Sequence, residues 1–119
     1  FLSLVNQHQL CTVARSFQNL HIYGCWWFLN NPSLIRQITQ MRIEMLGWGF
    51  TAQHSDARVI EQLIYKWFHS KSIIADILID KYNNLLQSGW SLDYDEVSRD
   101  IQKIFCGSYE SFMDKQLVL

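Results

Sequence analysis

Residues 50–58 read Phe50-Thr51-Ala52-Gln53-His54-Ser55-Asp56-Ala57-Arg58. The aromatic and β-branched start predicts a short strand over residues 48–54. A helix follows from about Asp56, because Ile60, Leu63, Ile64, Trp67, Ile74, Leu78, Tyr82 and Leu85 recur at helical intervals. As one rod from 56 to 86 it would span about 46 Å. That is long for a small domain, so a bend or break is expected near residues 69–72. Where a strand gives way to a helix in a parallel α/β protein, the strand end faces the active site. Asp56 and Arg58 are therefore the leading candidates for chemistry.

Upstream, the sequence repeats this order. Residues 20–25, Leu-His-Ile-Tyr-Gly-Cys, read as a buried strand. Asn31-Pro32 then marks a helix start, with Asn31 expected to cap free N–H groups and Pro32 placed where its missing N–H costs nothing. Leu34, Ile35, Ile38, Met41 and Met45 carry that helix to Gly47, a suitable stop. The two strands are expected to be parallel neighbours, with the helix over 31–46 crossing between them. Residues 4–17 read as an opening helix, with Leu4, Val5, Leu10, Val13, Ala14 and Phe17 on one face. Downstream, Gly89 ends the long helix, and Asp93 followed by Glu96 resembles a capping box. Val97, Ile101, Ile104 and Phe105 should face inward from the next helix, and 108–115 forms a last short one. The class is α/β, mostly helical by residue count, in one unit over residues 1–119 with no internal boundary. Two parallel strands leave faces and edges uncovered, so the rest of the sheet is expected elsewhere in a longer parent or in a partner. The start on Phe1 rather than Met agrees with that expectation.

Composition narrows the function. Apolar residues make up 49% of the 119, with one Pro and five Gly, which is a globular composition. Ten Lys and Arg balance eleven Asp and Glu without a basic block, which argues against nucleic acid as a partner. No apolar run approaches the roughly 20 residues of a membrane span. Cys11, Cys25 and Cys106 are an odd, widely spaced set, which points to a reducing, cytoplasmic setting rather than a disulfide framework or zinc knuckle.

A carboxylate at Asp56 can accept a proton or bind a metal, and a guanidinium at Arg58 can grip a carboxylate with paired hydrogen bonds. The plainer reading is a helix cap at Asp56 and a surface ion pair at Arg58. Trp26 and Trp27 sit at the other strand-to-helix loop. They can wall a pocket, or simply pack. Among His8, His21, His54 and His69 only His54 lies near this candidate site, and no H-x-H or H-x-x-x-H pair occurs. No serine has a nucleophile-elbow context, and Cys25 has no evident base.

The segments GCWWFLNNPSLI, ITQMRIEMLG, FTAQHSDARVIEQLIYKW and IIADILIDKY resemble, in order, the C-terminal region of uronate isomerases of the amidohydrolase superfamily. SLDYDEVSRDIQKIFCG is a weaker echo. This resemblance implies the C-terminal portion of a distorted (β/α)8 barrel: the last two β/α units and the C-terminal helices. It implies interconversion of D-glucuronate with D-fructuronate and of D-galacturonate with D-tagaturonate, in a cytoplasmic homo-oligomer. It makes Asp56 a catalytic residue and a ligand of a single divalent metal, with zinc the expected ion. Arg58 and Trp26 match substrate-binding positions. The family's H-x-H pair and mid-barrel His have no counterpart here, so the metal site is expected to be incomplete in this chain, and the remainder of the barrel becomes a required partner. Two rivals remain: a metal-dependent hydrolase of the same superfamily, and a non-catalytic helical interaction module.

Overall fold

The computed structural model describes residues 4–24 and 31–115. Among the described residues the α-helices are, in order, α1 Gln7–Ser16, α2 Pro32–Leu46, α3 Ile60–Gln87, α4 Tyr94–Gln102 and α5 Ser108–Met113. A π-helical turn, Lys103–Gly107, joins the last two.

The two extended segments run parallel, as their crossover helix requires. They meet at a single bridge, Tyr23 with Thr51. Thr51 N–H donates to Ile22 O at 3.0 Å and Gly24 N–H donates to Thr51 O at 2.9 Å. Among the described residues no longer strand forms. One parallel rung without flanking strands has nothing to extend it. The other edge is taken by the π turn: Ala52 N–H donates to Ile104 O at 2.8 Å. In that turn Ser108 N–H reaches back five residues to Lys103 O, the widened spacing of a π turn.

Helix boundaries follow local chemistry. Pro32 opens α2, and Gly47 closes it at φ +58°. The Asn31 side chain makes no capping bond; its carbonyl accepts the first helical N–H, from Ile35, at 3.0 Å. α3 is one unbroken helix of 28 residues, about 42 Å at 1.5 Å per residue. The expected break near 69–72 is absent. No Gly or Pro interrupts residues 60–87, and Ser70, at the middle, is fully buried. α3 ends in a Schellman arrangement: Trp90 N–H bonds Leu85 O at 3.1 Å and Gly89 N–H bonds Leu86 O at 3.0 Å, with Gly89 at φ +89°. Asp93 caps α4 by accepting Glu96 N–H at 2.7 Å.

The core lies where α3 crosses the extended segments. Cys11, Ile22, Phe50, Ala52, Ile74, Leu78 and Ile104 form one buried cluster, and Ile35, Ile73 and Ile77 a second. Residues 70, 73, 74, 77 and 78 give α3 its buried stripe. Tyr82 donates its hydroxyl to Asp100 Oδ2 at 3.1 Å, tying α3 to α4. Burial and the Asp100 charge push that phenol well above its ordinary range. Some expected inward residues are exposed. Ile60, Leu63, Ile64 and Leu85 of α3 and Ile101 of α4 lack a covering neighbour within the described residues. In α1 the buried residues are Gln7 and Cys11, while Leu4, Val5, Val13 and Phe17 lie outside.

Candidate active site

The second extended segment delivers residues 53–58 to the start of α3. Its alternation places Phe50 and Ala52 in the core, while Thr51 Oγ1 meets His21 Nε2 at 2.9 Å. His54 then packs edge-on against the Tyr23 ring, centroids 5.3 Å apart. The fit is close enough to dictate glycine at position 24: a Cβ there would lie 1.8 Å from His54 Cδ2, and Gly24 holds φ +56°. Arg42, buried on α2, donates to the Gly24 carbonyl and, at 2.8 Å, to Gln7 Oε1. One guanidinium thus joins α1, α2 and the end of the first segment. Burial pushes the His54 imidazolium down in pKa, and the Asp56 carboxylate opposes that shift.

Asp56 and Arg58 are both exposed, just past the end of the second segment. Neither takes the plainer role. α3 begins at Ile60 with Val59 at its cap position, so Asp56 caps no helix. Among the described residues no ion pair engages Arg58 or the Asp56 carboxylate. Asp56 sits at φ +43°, left-handed for a side chain other than glycine. Two α3 residues that sequence reading did not single out hold this turn. Lys66 Nζ donates to Asp56 O at 3.1 Å, and Gln62 Oε1 accepts from Arg58 N–H at 3.0 Å. In the sequence they are only two long polar side chains four apart on one helix face, a pattern too common to single them out. Trp26 lies outside the described residues.

Gln53, three residues before Asp56, is 3% exposed, and both polar atoms of its amide are buried without a hydrogen-bond partner among the described residues. A concavity of about 780 Å³ opens at the other end of the segments, bordered by Phe17, His21, Trp48, Lys103 and Phe112. Its lining does not include Asp56.

No group of three or more His, Cys, Asp or Glu suited to a metal occurs among the described residues. Asp56, with His54 two residues away, is too small a donor set for a closed metal site, so the described residues by themselves do not fit the metal that the resemblance implies. Among the described residues no helix is long and apolar enough to cross a membrane.

No protein-family model and no curated protein sequence matches the chain. Among solved structures, the crystal structure of a uronate isomerase from Bacillus halodurans C-125 is similar at 56% identity and a TM-score of 0.91. The match covers 97% of this chain and 27% of that one, so the chain spans about a quarter of that protein's length. Identity at this level over nearly every residue, together with the shared fold, places the chain in the uronate isomerase family, as a part of such a protein.

Proposed function

We propose that this chain is the C-terminal part of a uronate isomerase that interconverts D-glucuronate with D-fructuronate and D-galacturonate with D-tagaturonate. The observation that carries the reading is the 56% identity across 97% of the chain. The exposed Asp56–Arg58 pair before α3 supports it, since among the described residues neither side chain caps a helix or forms an ion pair. In this reading residues 1–119 form one unit, the last two β/α units and the C-terminal helices of a distorted (β/α)8 barrel. The full-length protein is a cytoplasmic homo-oligomer of the amidohydrolase superfamily.

Aldose-to-ketose conversion breaks the C2–H bond, and its electron pair forms an enediolate across C1 and C2. The proton is returned at C1, while O1 gains a proton and O2 loses one to become the carbonyl. Asp56 is the carboxylate this chain offers for that transfer. Arg58 grips the uronate carboxylate through paired hydrogen bonds and fixes C2 against the base. Trp26 is assigned to substrate binding by the resemblance. The resemblance also implies one divalent metal, zinc by expectation, with Asp56 among its ligands. The other ligands belong to the remainder of the barrel, which makes that remainder an obligate partner.

Steady-state kinetics on the full-length protein test these roles. Asp56→Asn keeps the shape and removes the charge, so kcat should fall by at least about two orders of magnitude. Arg58→Lys keeps the charge and loses the paired geometry, costing about 1.5–3 kcal/mol in kcat/KM. Ordinary kinetics with a lowered melting point in both variants would reject the assignment.

A further inference from the structure

Asp56 is the non-glycine residue with positive φ among the described residues, and that backbone conformation costs about 1–2 kcal/mol. Such strain persists only where the surroundings enforce it. The enforcing groups are on the first two turns of α3. The Lys66 ammonium holds the Asp56 carbonyl at 3.1 Å, and the Gln62 amide oxygen holds the Arg58 N–H at 3.0 Å. Both act on backbone, one on each side of Ala57, and neither engages the carboxylate or the guanidinium. The bonds therefore fix the direction in which the two functional side chains leave the turn while leaving their charged ends available. α3 is continuous from Ile60 through its buried stripe at 70–78, so the brace is anchored in the core.

We propose that Lys66 is a positioning residue for the isomerisation, locking the Asp56 turn with Gln62 as its second clamp. This rests on the role of Asp56 proposed above. Lys66 touches no reacting atom; it acts through the Asp56 backbone.

The test uses the full-length protein, with D-glucuronate as the probe and four variants: Lys66→Met, Lys66→Arg, Gln62→Leu and Asp56→Asn. Lys66→Met should lower kcat by about ten- to a hundredfold, the cost of roughly an ångström of misplacement, with KM within about twofold. Lys66→Arg, which keeps a cationic donor, should recover most of kcat. Gln62→Leu should lower kcat in the same sense and supplies the test if Lys66→Met does not fold. In the Asp56→Asn background Lys66→Met should add no further loss, because both changes act through one group. A large loss in Asp56→Asn with normal kcat in Lys66→Met and Gln62→Leu would overturn the bracing role. A lowered melting temperature with unchanged kcat in those two variants would also overturn it. Normal kcat in Asp56→Asn would reject the role of Asp56 itself, and the brace with it.

Discussion

Replacing Gly24 by Ala is the sharpest probe of how the two extended segments close on each other. The added Cβ would lie 1.8 Å from His54 Cδ2, whereas ordinary contact begins at 3.4 Å, so the ring or backbone must move about 1.6 Å. Overpacking of this kind costs about 1–3 kcal/mol. The left-handed conformation at φ +56° adds about 1–2 kcal/mol for a residue with a side chain. The total is about 2–5 kcal/mol, read as a shift in the denaturation midpoint of the full-length protein. Gly47→Ala is the internal control. Its φ is +58°, yet nothing lies within 4 Å of the added methyl, so it should carry only the backbone share. The double variant Gly24→Ala with His54→Ala should regain much of the difference, because it removes the obstructing ring. Equal destabilisation by Gly24→Ala and Gly47→Ala would refute the packing of His54 on Gly24.

Ile74→Ala deletes a fully buried side chain at the centre of the core and should cost about 2–5 kcal/mol in chemical unfolding. Asp93→Ala removes the acceptor for Glu96 N–H and should cost about 1 kcal/mol by the same measurement. Hydrogen bonds from Lys81 and Gln40 hold the Glu44 carboxyl below its ordinary pKa. The stability from that shift is present above the unfolded-state pKa and lost as pH falls through the folded one. Lys81→Met should therefore flatten the acid limb of a melting-temperature profile. Burial, then the Lys115 charge, pushes the His21 imidazole down, so the unfolded chain takes up its proton first. Stability should fall as pH drops below the ordinary histidine pKa, and His21→Phe should remove that component.

Positions where local chemistry decides the backbone were legible in the sequence. Pro32, Gly47, Gly89 and Asp93 mark helix ends because a fixed φ, a left-handed turn or a side-chain acceptor acts within a few residues. The parallel sense of the two extended segments was legible for a similar reason, since the α2 crossover leaves little choice, but the strands expected over 20–25 and 48–54 reduce among the described residues to the Tyr23–Thr51 bridge. What escaped depends on partners distant in sequence. Residues 69–72 looked like a weak point in α3, but no Gly or Pro interrupts them and the buried stripe of Ile73, Ile74, Ile77 and Leu78 seats the helix on the core. The π turn showed no pattern in advance; its Ile104 carbonyl serves Ala52, more than fifty residues earlier. The apolar side chains of Ile60 and Ile64 read as core, yet nothing within the described residues covers them. The placement of Asp56 and Arg58 between the second extended segment and α3 was legible in the sequence. Lys66 and Gln62 were not, because a lysine and a glutamine on an exposed helix face look ordinary until the turn beneath them is seen.

In the proposed reading, the full-length protein isomerises uronates through Asp56. Proton NMR of the full-length protein with D-glucuronate in deuterated buffer tests it directly, with Asp56→Asn run in parallel. The expected result is ketose signals growing at the expense of the aldose with the unaltered protein, and a rate at least about a hundredfold lower with Asp56→Asn. An unchanged aldose spectrum with the unaltered protein, or equal rates with the variant, would contradict the account.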